Sequence, residues 1–166
     1  MRLSESVEIS APPRLVWHYL IEPSNYLHFM SGVTRWDVVG DQRTGLGARY
    51  RMLIRIGSAE VGGLIELVEW SDERELAWSS VLGVDQRGRW RLRPLDGGER
   101  TRVELRFAYG VAGSGVTGRI AELVAAPTLG SHLRRSLHQL KRQVEHEKLR
   151  AEAARRRAER AGAGAS

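Results

Sequence analysis

The side chains best suited to chemistry in this chain are phenols, not carboxylates or thiols. Tyr50, Tyr109, Ser80 and Gln86 all fall on the apolar faces of alternating segments, and Tyr26 sits in a short aromatic helix segment. A tyrosine placed inside a protein can serve as a general acid or as an oxyanion donor. Such chemistry usually needs a charged partner, and the strands offer little. Glu69, which would continue the Ile65–Leu67 face, is the one carboxylate expected to point inward, and no arginine is expected there. Tyr50, Tyr109 and Tyr26 are therefore weak catalytic candidates, and structural phenols are the stronger reading.

The remaining chemistry-bearing patterns exclude more than they suggest. There are no cysteines, so disulfides and thiolate chemistry are absent. His18, His28, His132, His138 and His146 show no metal-ligand spacing and no HExxH. Gly113, Gly115 and Gly118 follow an antiparallel strand pattern, whereas a dinucleotide fingerprint needs a βαβ unit. They are read as a hinge. No P-loop, nucleophile elbow or kinase signature occurs, and no cofactor or metal is expected.

Positioning these residues requires a definite run of elements. Leu3 to Ser10 reads as a strand with Leu3, Val7 and Ile9 on one face. Ser10 is expected to cap a helix whose first turn holds Pro12 and Pro13. Val16, Trp17 and Leu20 give that helix an apolar side, and Pro23 ends it. Ser24 opens a second short helix with Tyr26, Phe29 and Met30. Six alternating segments follow, separated by hairpin-length turns, which predicts an antiparallel meander. The clearest is residues 48–56, with Tyr50, Met52, Ile54 and Ile56 opposite Arg49, Arg51, Leu53 and Arg55. Gly62 and Gly63 predict a bulge or bend in the next strand. From Val116 the period becomes helical, with Ile120, Leu123, Leu133, Leu137, Leu140 and Val144 in one stripe. Pro127 should kink this helix.

Length and charge set the frame. A chain of 166 residues with 42% hydrophobic and 28% charged residues suits one soluble domain. The net charge of +6 lies entirely beyond residue 133, where ten basic and four acidic side chains occur; the preceding part is neutral. Residues 1–147 are read as one domain and 148–166 as a basic, frayed or disordered tail. That tail lacks interleaved aromatics, so nucleic acid is not an expected partner. A weak membrane-surface or protein contact through it stays open. No run is apolar enough to span a membrane and the first residues do not read as a signal peptide, so the expected location is cytoplasmic. Either a monomer or a homodimer is compatible.

The order strand, two helices, six strands, long helix resembles the START-like, or SRPBCC, superfamily of polyketide cyclase/dehydrase and lipid transport proteins. The resemblance covers about residues 3–147. Its local carriers are Ala11-Pro12-Pro13 with Val16-Trp17, Pro23 with Asn25-Tyr26 and Phe29, Gly47 before a strand, and Trp90-Arg91-Leu92 before a glycine-rich turn. The resemblance implies an α+β, Bet v 1-like helix-grip fold. A bent antiparallel sheet of about seven strands would wrap the long C-terminal helix and leave a cavity. Tyr26, Phe29, Met30, Tyr50, Met52, Ile54, Ile65, Leu67, Trp78, Trp90, Phe107, Tyr109, Leu123 and Leu133 would line it. The implied function is carriage or sensing of a small hydrophobic molecule, lipid-like or polyketide-like. The alternatives are a polyketide aromatase/cyclase and a non-enzymatic interaction protein such as a toxin–antitoxin component.

Overall fold

A computed structural model describes residues 2–110 and 116–163, with residues 116–126 described by their backbone alone. Strand β1 (Arg2–Ile9) is followed by helix α1 (Pro13–Leu20), a 3₁₀ turn (Pro23–Asn25) and helix α2 (Tyr26–Phe29). Strands β2 (Val33–Val39), β3 (Arg49–Ile56), β4 (Ala59–Ser71), β5 (Glu75–Gly83), β6 (Asp85–Leu95) and β7 (Arg100–Gly110) then run in sequence to helix α3 (Val116–Ala163). All seven strands form one antiparallel sheet in the order β1-β7-β6-β5-β4-β3-β2. Strands β1 and β2 are thus opposite edges, joined only by residues 10–32. The sheet curls, and α3 packs in the crook against β1, β3 and β7.

The sheet's inner face follows the period-2 rule of a half-buried sheet. Leu3, Phe107, Gly88, Trp78 and Leu67 lie in one cross-strand row, and Leu105, Trp90 and Leu76 in the next. Against them α3 places Leu129, Leu133, Leu137, Leu140 and Val144, all buried. Steps of three and four residues put these five side chains on one helix face. The helix continues through Pro127, which costs one backbone hydrogen bond. It also continues as helix past Val144 to Ala163.

Three local details differ from expectation. Ser10 does not cap α1, whose N-cap is Pro12 without a side-chain bond. Instead the Ser10 N–H donates to Glu145 of α3 at 2.8 Å, and its carbonyl accepts from Lys148 at 2.9 Å. Lys141 adds a 2.8 Å bond to the Glu8 carbonyl. The corner between β1 and α1 is therefore clasped to the helix. Glu69 does not face inward, because a bulge between Leu67 and Glu69 turns it to the outer face. There it makes two bonds of 2.6 and 2.7 Å with Arg89. Glu5 takes the inner register instead, at the sheet edge, and pairs with Arg134 of α3 at 3.0 Å.

Glycine allows two close approaches. The backbones of β4 and β5 pinch together at Gly63 and Gly83, where a Cβ on Gly63 would lie 1.9 Å from the Leu82 carbonyl oxygen. Gly88 lies beneath the Trp78 ring, and a Cβ there would sit 1.8 Å from the ring's Cζ2. Gly88→Ala therefore forces the buried indole to move, a case of overpacking that costs about 1–3 kcal/mol. Thermal unfolding should show a fall in Tm for this variant; an unchanged Tm would mean that the ring relocates freely.

Candidate functional site

The inward side chains divide into a filled half and a less crowded end. At the α1–α2 half, aromatic rings pack on one another. Tyr26 stacks on Trp36 with centroids 3.9 Å apart, Trp36 on Tyr50 at 5.5 Å, and Phe29 meets Tyr26 at 5.0 Å and Trp90 at 6.0 Å. Such pairs contribute beyond their buried area. Tyr26, Phe29, Tyr50, Met52, Ile65, Leu67, Trp78, Trp90 and Leu133 all belong to this continuous core, with Met30 partly buried at its margin. The Leu123 side chain lies outside the described residues.

At the other end the described side chains leave a small space. Ile54, Ile56, Val61, Val84, Gln86, Phe107, Tyr109 and Leu129 surround an apolar pocket of about 30 Å³. It lies between the β3–β4 hairpin, the β5–β6 connection, β7 and α3. Of the sequence candidates, Ile54, Phe107 and Tyr109 come together here. Ile56, Val61, Val84 and Leu129 were not among them. Ile56 continues the Ile54 face, and Leu129 stands one helical turn before Leu133, so both carried a readable signal. Val61 and Val84 sit at hairpin ends, where alternation is too short to assign a face. Gln86 is only 3% exposed, and among the described residues its Oε1 has no hydrogen-bond partner.

The polar groups of the filled half are engaged in structure. The Tyr50 hydroxyl donates to the Arg43 carbonyl at 2.8 Å, and burial raises its pKa. Tyr26 is buried, and loss of hydration pushes its phenol well above the ordinary range. Both rings hold their protons at neutral pH and are poor bases. Glu22 ties this end shut. It accepts from Arg43, from the Ser24 N–H at 3.0 Å and from the Ser24 hydroxyl at 2.6 Å. Arg43 and then Ser24 hold its carboxyl down at about 2.

On α3, His132 lies 2.9 Å from the Ser31 hydroxyl through Nδ1, and Ser136 accepts from the Ser31 N–H at 2.9 Å. Burial, then Arg135, lowers the His132 pKa, so the ring is neutral at pH 7. This cluster fixes the α2–β2 turn to α3. His18, His28, His138 and His146 are exposed. Among the described residues no group of His, Asp or Glu side chains has the arrangement of a metal site.

Two larger concavities are less suited to an apolar ligand. A groove of about 730 Å³ between α1 and the far end of α3 is edged by Arg14, Glu22, Glu147, Lys148, Glu152 and Arg155. A depression of about 670 Å³ on the outer sheet face is rimmed by Arg2, Arg87, Arg89 and Arg106. Both lie against charged side chains and outside the grip. No helix among the described residues is long and apolar enough to cross a membrane.

A curled seven-stranded antiparallel sheet gripping a long C-terminal helix defines the helix-grip class. The chain matches the polyketide cyclase / dehydrase and lipid transport family over residues 1–145 and belongs to it. Solved structures agree on the fold. TTHA0849 from Thermus thermophilus superposes with a TM-score of 0.74 at 23% identity, covering 87% of this chain and 97% of that one. The Zhui aromatase/cyclase from a Streptomyces species gives 0.74 at 17% identity, covering 87% and 93%. A START superfamily protein from Mycobacterium smegmatis gives 0.67 at 17% identity, covering 87% and 97%. No curated protein matches the chain.

The Glu22 contacts carry a pH signature. Its folded pKa lies below the ordinary value of 4.5, so its contribution is complete above that pH and fades as pH falls toward 2. The group is partly exposed, which limits the effect to about 1 kcal/mol after solvent screening. Urea unfolding of Glu22→Gln should show that loss at pH 7 and a narrowing gap to the parent protein by pH 3. A gap independent of pH would remove the ion pair as its cause.

Proposed function

We propose that this protein binds one small hydrophobic molecule at the less crowded end of the grip, as a carrier or sensor. The observation behind the reading is the pocket beside Ile54, Val84, Phe107 and Leu129, whose walls are almost wholly hydrocarbon. Apolar walls with a few polar groups are the usual make-up of a small-molecule site. The family's description as cyclase, dehydrase and lipid transport proteins fits a lipid-like or polyketide-like occupant.

The pocket's volume adds a mechanism. About 30 Å³ holds roughly two waters. A larger ligand must therefore wedge α3 away from the hairpin ends, and its desolvation supplies the driving force at about 25 cal/mol per Å² of apolar surface buried. Binding is favoured over catalysis because Tyr26 and Tyr50, two of the three candidate phenols, lie in the filled half and do not line the pocket. An aromatase/cyclase reading would rest on Tyr109 and Gln86 alone.

Titration with a neutral naphthylamine dye, whose emission rises in apolar surroundings, tests the reading. The parent protein should bind it saturably with one site. Val84→Trp, which fills the pocket from a partly exposed position, should weaken binding by about tenfold, equivalent to 1.4 kcal/mol. Equal binding by both proteins would place the dye elsewhere and refute the site.

A further inference from the structure

We propose that Gln86 selects for ligands that end in a hydroxyl group, its Oε1 accepting that hydroxyl's hydrogen bond. The inference rests on the pocket reading above and adds the polar chemistry of its occupant.

Gln86 is fixed on β6 by its cross-strand pairing with Tyr109 and by a 3.2 Å bond from its N–H to the Ser80 hydroxyl. Its side chain lines the pocket, and the residue is only 3% exposed. Among the described residues its Oε1 has no hydrogen-bond partner. Buried polar atoms are normally satisfied, and an acceptor left without a donor carries a desolvation penalty of about 1–3 kcal/mol. Of the pocket's other lining side chains, Ile54, Ile56, Val61, Val84, Phe107 and Leu129 carry no polar atom, and the hydroxyl of Tyr109 does not donate to this oxygen. The other orphaned groups are different, and one of them, the Thr44 hydroxyl, does not line the pocket. The indole N–H groups of Trp36, Trp78 and Trp90 lie among aromatic rings, which are weak acceptors. Gln86 presents an acceptor, for which a ring edge or an alkyl wall does nothing.

The complement to such a site is an apolar body with one neutral donor. A carboxylate or ketone end carries no donor and would leave Oε1 unsatisfied. An ammonium end would have to give up its hydration in a hydrocarbon pocket, at far greater cost. An alcohol or phenol fits: it donates to Oε1 and loses little hydration elsewhere.

The test compares 1-decanol with its methyl ether of similar length, each displacing the naphthylamine dye. The parent protein should bind the alcohol about tenfold more tightly, the size of one hydrogen bond to an otherwise unsatisfied acceptor. Gln86→Leu should bring the two affinities together by weakening the alcohol alone. Gln86→Glu, which keeps an acceptor oxygen at the same place, should retain the preference for the alcohol. Equal affinity of alcohol and ether in the parent protein overturns the inference, and so does tighter binding of 2-undecanone than of decanol. Failure of the dye and of every decyl compound to bind overturns the pocket itself, a separate result from loss of the alcohol preference.

Discussion

The stripe of Leu129, Leu133, Leu137, Leu140 and Val144 on α3 can leave water only against the concave face of the sheet, and every other contact follows from that burial. Each such side chain contributes about 1.5–3 kcal/mol when fully buried. A flat sheet could not cover all five together with α1 and α2. The curl is achieved where β5 bulges at Val81 and β4 at Val68, and where Gly63 and Gly83 let two backbones touch. The salt link Glu5–Arg134 and the clasp of Ser10 by Glu145 and Lys148 then set the helix's rotation. These polar links are exposed and individually small; their role is geometric.

Filling decides what the grip can hold. The large rings Tyr26, Trp36, Tyr50, Phe29 and Trp90 occupy the half nearest α1 and α2 and pack on one another. Small aliphatic side chains at the hairpin ends leave the other half less crowded. Placing the bulk at one end and the slack at the other gives the interior a direction.

Much of this architecture is legible in the sequence. Alternation along residues 48–56 and the three- and four-residue steps after Leu133 report burial directly, because each side chain's face follows from its position in the repeat. The division within the inward set is less visible. Alternation puts Tyr50 and Tyr109 on the same kind of face, yet one stacks on Trp36 and the other lines the pocket. That difference depends on which strand lies beside which ring, a matter of contacts between distant segments. Glu69 departs from its expected face for a related reason. A bulge shifts every later residue by one, and the two glycines announce a bend without saying where the pairing slips. Ser10 reads as a cap because caps are local; its real partners are 135 and more residues away. The absence of a donor for Gln86 is a property of its surroundings, and no residue type encodes it.

Strand β1 has only β7 as a neighbour in the sheet, and its helical cover is α3. Its pairing with residues 101–108 therefore spans almost the whole domain. On a ribosome, adding about 5–20 residues per second, the meander from β3 to β6 can assemble hairpin by hairpin as it emerges. Strand β1 is made well before its partner β7 and must wait for it. For those seconds Leu3, Val7 and Ile9 are an unpaired apolar edge, and the acidic and hydroxyl residues between them, Ser4, Glu5, Ser6 and Glu8, keep it from pairing with a neighbouring chain.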